Sequence, residues 1–247
     1  MLSLANTIGS SSAATAIESF AVSTKSLALD GAGDYATFSS TTFAITGAGT
    51  DLSIVFWAKR TDNNDIALVL GNSAAFATKR LNFGADGTTL EMEGDTNGQH
   101  ASGAVTADTN WHHYAITIEG KDGGTESTVA MYEDGAAVST TNSNLGASAA
   151  GFTIDQMGST GDGSANTHEF KGLLYQVAIY TAVLEAEEVA AIYNSGNTIA
   201  LQANEGKYFR SLSLLHLWRF ATTADSVSSL NLTYEGDAAA SSTIPTS

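Results

Sequence analysis

The feature that most constrains this chain is a long series of short apolar segments, each closed by a Gly, Asn or Asp turn. Among 247 residues there are 24 Gly and one proline, Pro245. Turns must therefore come from residues that tolerate positive φ rather than from proline. Residues 26–29 alternate Ser26, Leu27, Ala28 and Leu29 before the turn at 30–34, and Tyr35 to Phe38 start the return. In 51–60, Leu52, Ile54 and Phe56 face one way, and Val55 and Trp57 the other. A strand that is apolar on both faces belongs in the middle of a packed layer. Residues 67–70, 81–83 and 90–92 read as further short strands.

Residues 111–119 and 128–133 read as two more strands, with His112, Tyr114, Ile116 and Ile118 on one face of the first. Asp134-Gly135 then reverses the chain in a tight turn. Residues 170–180 form another strand, and strict alternation puts Leu173, Tyr175, Val177 and Ile179 on one face. One helix is expected at about 184–194 from the spacing of Ala186, Val189, Ala190 and Tyr193. Glu185, Glu187 and Glu188 suit its N-terminus, and Gly196 suits its end. The expected fold is all-β: a two-sheet antiparallel jelly-roll sandwich with one short helix and terminal extensions. Residues 1–24 read as a polar arm, 25–197 as the sandwich and 198–247 as a C-terminal extension. Leu212, Leu214 and Leu217 are too apolar for a linker, so the extension belongs to a core or an interface.

Charge narrows the partners. There are 26 acidic against 10 basic residues, a net charge of −16. An acidic surface repels phosphate backbones and anionic lipid, so neither nucleic acid nor membrane is an expected partner. The chain has no cysteine, so no disulfide framework. Residues 1–22 carry no basic residue and no continuous apolar run, and do not read as a signal peptide.

Four segments carry a resemblance. They are SLALDG at 26–31, DLSIVFW at 51–57, WHHYAI at 111–116 with Tyr132, Asp134 and Gly135 after it, and FKGLLYQVAIY at 170–180 with Leu184 before the helix. Together and in this order they resemble the laminin-G-like, concanavalin A-like jelly-roll family. The resemblance covers roughly 26–197. It implies a lectin-like sandwich, a fold that serves many functions. Relatives usually carry Asp after the Gly-x-apolar triplet of the closing strand. Here Tyr175 and Gln176 stand there instead, which argues against a calcium site of the family type. Residues 213–220 are similar to the strand that usually opens such domains, yet they lie at the end. Either that strand pairs within its own sheet or it pairs with a neighbouring chain. The same arrangement resembles virion proteins of tailed, especially marine, phages.

The candidate chemistry is sparse. Glu91, Glu93 and Asp95 could share one face, as the carboxylates of the family's glucanases do, but they run into a loop and lack an apolar frame. Adjacent His112 and His113 point to opposite faces and do not share an ion. His112 reads as a satisfied core histidine and His113 as a sheet-surface residue. His100, His168 and His216 show no ligand spacing. Calcium is the candidate cofactor, with Asp62, Asn63, Asp65, Asp162 and Asn166 in two oxygen-rich loops. Ordinary polar turns explain both loops as well. For glycan binding, Trp57 and Trp111 read as core, which leaves Phe76, Tyr208 and Trp218 as aromatic candidates.

The expectation is a non-enzymatic virion component (capsid decoration, fibre or adhesin), assembled in a host cytoplasm without a signal peptide. Its partners would be other virion proteins and its own copies. Assembly contacts would come from Leu214, Leu217, Trp218 and Phe220. The alternative is a carbohydrate-binding adhesin module, calcium-dependent or not, that recognises cell-surface glycans.

Overall fold

The computed structural model describes residues 22–39, 43–45, 51–62, 66–73, 80–94, 100–120, 127–143, 152–159 and 168–246, with backbone alone at 43–45, 142–143 and 152–153. The strands run β1 (Ser26–Asp30), β2 (Tyr35–Phe38), β3 (Phe43–Ile45), β4 (Leu52–Arg60), β5 (Ala67–Gly71) and β6 (Arg80–Phe83). Then come β7 (Thr89–Glu93), β8 (His100–Ala104), β9 (Trp111–Glu119), β10 (Thr128–Glu133), β11 (Ala136–Ala137) and β12 (Thr140–Ser143). The chain continues through β13 (Phe152–Ile154), β14 (Gln156–Met157), β15 (Lys171–Tyr180) and helix α1 (Ala186–Tyr193), to β16 (Leu214–Trp218), β17 (Leu232–Glu235) and β18 (Ala239–Ser241).

The strands form two large sheets and a small β3–β13 ribbon. The first sheet runs β11-β10-β9-β4-β15-β1-β18, and β16 also pairs with β15. The second runs β12-β8-β7-β6-β5-β14-β2-β17. All the pairings among the described residues are antiparallel. This is the expected jelly-roll sandwich.

The main core lies between the sheets, where Ile54, Phe56, Phe83, Leu90, Tyr114, Ile116, Leu174 and Val177 meet. A second core covers the back of the first sheet. Val55, Ala178 and Tyr180 pack there under Val189 and Ile192 of α1 and under Ile199, Leu201 and Tyr208. The two cores explain why β4 is apolar on both faces: Phe56 and Ile54 enter one, Val55 the other. Helix α1 starts where Glu188 Oε2 accepts a hydrogen bond from the Glu185 amide at 3.2 Å, and it stops at Asn194 in the left-handed region, φ 47°. No described helix is long and apolar enough to cross a membrane.

Strict alternation fails in β15. Between Tyr175 and Ala178 this strand has one residue more than β4 opposite, and Gln176 takes φ 45°. This bulge reverses the facing. Leu174, Val177 and Ile179 enter the main core, while Leu173 and Tyr175 point the other way. The residues that replace the usual Asp have structural work. The Tyr175 hydroxyl donates to Ser23 O at 2.9 Å, and Gln176 Nε2 donates to Ile199 O at 2.9 Å. They tie both terminal segments to the sheet.

The C-terminal region does not stand apart. β16 and β18 join the first sheet, and β17 joins the second. The strand at 214–218 therefore pairs in its own chain. Leu214 and Leu217 fill the second core, and Trp218 and Phe220 the first. Their apolarity is accounted for without a partner. Residues 1–21 of the expected arm lie outside the described residues, and Ser23, just after them, is buried.

Candidate functional site

Two surfaces gather chemistry. One is a groove of about 480 Å³ at a sandwich edge. Its floor is Ala28 and Leu29 of β1 with Gly172 and Leu173 of β15, and its walls are Asp30, Asp34, Thr61, Lys171 and Asp237. The bulge helps to form it, because the residues before Gln176 turn Leu173 outward.

The groove walls are held by carboxylates that accept from backbone amides. Buried Asp34 accepts from Asp30 N at 2.9 Å and from Asp237 N at 2.5 Å, so it joins the β1–β2 and β17–β18 turns. Glu169 Oε2 accepts from Gly33 N at 2.6 Å. Lys171 Nζ lies 3.3 Å from Asp62 Oδ2. Gly172 sits at φ 146°, with Lys59 and Arg60 so close that a Cβ would strike their backbone. The groove thus offers an apolar floor with carboxylates, a hydroxyl and one ammonium around it. That is the usual composition of a small-molecule site.

The other surface is the outer face of the second sheet. Register places Arg80 opposite Glu93 and Asn82 opposite Glu91, with His100 and Ser102 on the far side of β7. Glu91, Glu93 and His100 bring ligand atoms within 4.8 Å of one another. Glu91 accepts from Thr89 Oγ1 at 2.9 Å and from Asn82 Nδ2 at 3.0 Å. Arg80 Nη2 lies 3.7 Å from Glu93 Oε1. Glu91 and Glu93 do share a face; Asp95 lies outside the described residues. The sequence did not point to His100 beside them, because a cross-strand pair carries no spacing signal.

The two neighbouring histidines split as alternation requires, but with a different outcome. His112 bridges Asp134 Oδ2 at 2.7 Å and Asp108 Oδ1 at 3.0 Å. The hydrogen bond to Asp134 does most to raise it to about 9, against the effect of burial. His113 is not a surface residue. It is 0% exposed, between Trp57 and Tyr193, because α1 covers that face. Burial lowers it to about 4.

Of the calcium candidates, Asp62 is in an ion pair with Lys171, and Asn63, Asp65, Asp162 and Asn166 lie outside the described residues. Among the aromatic candidates, Tyr208 and Trp218 are buried and Phe76 lies outside the described residues. His216, Asp225 and Ser228 cluster, but His216 Nδ1 meets both Asp225 Oδ2 at 2.6 Å and Ser228 Oγ at 2.9 Å. A nucleophilic triad uses the two ring nitrogens separately, so this is a loop clamp.

One solved structure shares the fold, and two others were compared with this chain. A Bacteroides ovatus protein described as carbohydrate-binding superposes with a TM-score of 0.59 at 12% identity, over 92% of this chain and 62% of that one. The chain therefore spans under two thirds of that protein. The heptameric SAP-like pentraxin of Limulus polyphemus gives 0.48 at 15% identity, over 87% and 96%. The Ruminococcus gnavus IT-sialidase CBM40 bound to α2,3-sialyllactose gives 0.45 at 15%, over 64% and 96%. No curated protein sequence matches the chain. The laminin-G type family described as the concanavalin A-like lectin/glucanases superfamily matches residues 30–190. Its match covers well over half of the chain, and the chain belongs to that superfamily.

Proposed function

We propose that this chain is a non-enzymatic glycan-binding module, and that the groove over Ala28, Leu29 and Leu173 holds the sugar. The groove itself carries the reading. Its volume of about 480 Å³ suits one or two sugar rings. Leu173 and Ala28 offer an apolar surface for a ring's C–H face. Asp30, Asp237, Thr61 and Lys171 converge on it with the polar groups that hydroxyls pair with. Carboxylates outnumber the single lysine there, and the whole chain is acidic, so the fitting ligand is a neutral glycan.

A glycan array, with and without calcium, is the test. Binding of neutral glycans should weaken by about tenfold or more in Lys171→Ala and Leu173→Asp. A blank array in both conditions overturns the proposal, and so does binding that both variants leave intact. The calcium arm decides whether the oxygen-rich loops take part.

A place on a virion, with virion proteins or further copies as partners, is a second proposal, and the sequence resemblance alone supports it. The contacts it needs must lie on the exposed surface, where Phe209 is 56% and Leu212 98% exposed. Leu214, Leu217, Trp218 and Phe220 do not reach that surface.

A further inference from the structure

We infer that Glu91, Glu93 and His100 form a binding site for a first-row divalent cation of the zinc type on the outer face of the second sheet, away from the groove. Their ligand atoms lie within 4.8 Å of one another. Zinc takes donors at about 2.0–2.2 Å, which sets them roughly 3–4 Å apart. Glu91 is held in place, so the Glu93 and His100 side chains must turn to close that difference. Glu91 and Glu93 are two apart on β7, so they share a face, and His100 of β8 lies directly opposite Glu93. An imidazole with two carboxylates suits zinc, cobalt or nickel. Calcium prefers oxygen alone.

The neighbours are arranged as a supporting shell. Glu91 is fixed at both oxygens, by Thr89 Oγ1 and Asn82 Nδ2. Gly84 leaves the space for that seat, because a Cβ there would collide with Thr89 Oγ1 and Glu91 Oε1. Hydrogen bonds of this kind orient metal-binding carboxylates. Arg80 lies on β6, on the opposite side of β7 from His100, so it balances the charge of Glu93 without blocking the space between β7 and β8.

Asn82 holds the Glu91 carboxylate from the β6 side. It is 0% exposed, and its head lies against Glu91. Its Nδ2 donates to Glu91 Oε2 and to Phe83 O, while its Oδ1 has no hydrogen-bond donor.

The test is titration of the chelator-treated full chain with Zn2+ by calorimetry and with Co2+ by visible absorption. One ion should bind per chain. Glu91→Gln and His100→Ala should each weaken binding by about a hundredfold, and Asn82→Ala by about tenfold. Asp86→Asn, at an exposed carboxylate elsewhere, should change nothing. Excess Ca2+ should not displace Co2+. No binding overturns the inference. Binding that survives both ligand variants also overturns it, because the ion is then held by scattered surface acids. Circular dichroism checks that each variant folds. If one does not, the other variant and the imidazole-to-cobalt signature in the paramagnetic NMR spectrum decide. This result is independent of glycan binding in the groove.

Discussion

His112 and His113 are chain neighbours that both lean on Asp134, with opposite consequences. Asp134 Oδ2 meets His112 Nδ1 at 2.7 Å, and its Oδ1 accepts from the His113 backbone amide at 2.9 Å. The His112 side chain stays among carboxylates and is raised to about 9. The His113 side chain enters a buried aromatic slot without a hydrogen-bond partner and is lowered to about 4.

Stability should therefore peak near pH 6.5 in thermal melts. The contribution of His112 is complete below its unfolded value and fades as pH rises through about 9. Solvent screening holds that alkaline loss to about 1–2 kcal/mol. His113 acts on the other side: its favourable neutral form is matched in the unfolded chain above 6.5, and stability falls as pH drops towards about 4, by roughly 3 kcal/mol. Asp134→Asn should remove most of the alkaline slope, and His113→Phe most of the acid one. Unchanged slopes in both variants would show that other groups set the profile.

The C-terminal region should be indispensable to folding. A chain ending at residue 197 loses β16, β17 and β18 and the roof of the second core, and should be unfolded by circular dichroism. Trp218→Ala should cost about 3–5 kcal/mol in denaturant unfolding. Trp218 is 0% exposed, donates to Leu230 O at 2.8 Å and lies 5.0 Å from the Phe38 ring. A folded chain lacking this region would contradict the pairing in cis.

Asp225 should be a point of large loss. Burial opposes its charge, but hydrogen bonds from His216, Ser228 and the Leu217 and Val227 amides prevail and hold it at about 2. Asp225→Ala leaves these donors without an acceptor, at about 2–4 kcal/mol. The depressed value also means that its contribution is present above 3.8 and lost as pH falls through about 2. Equal acid unfolding of the variant and the parent chain would argue against the clamp.

Gly172→Ala should be among the costlier single-methyl additions. Its φ of 146° disfavours any side chain, and the Cβ would press on the Lys59 and Arg60 backbone. A loss of about 2–4 kcal/mol is expected in urea unfolding. Because Gly172 lines the groove, the glycan affinity proposed for that groove should fall with it.

The sequence by itself determined the local elements. Leu52, Ile54 and Phe56 alternate against Val55 and Trp57, and the structure buries both sets. Asp134-Gly135 turns with φ of 49° and 77°, the two positive values that a tight hairpin of this kind needs. The acid-rich start of α1 is also visible in the chain. These signals are legible because they depend on residues a few positions apart. Contacts between distant segments decided the rest. The bulge at Gln176 reverses Leu173 and Tyr175 against Val177 and Ile179, which alternation does not register. Helix α1 folds back over β9 and buries His113, not His112. The groove draws on β1, the end of β4, the start of β15 and the β17–β18 turn, and its walls meet through Asp34 and Asp237, 203 positions apart. His100 meets Glu91 and Glu93 only across a strand pair. Closure of such contacts depends on strand order and register, which the packing of the whole sandwich sets.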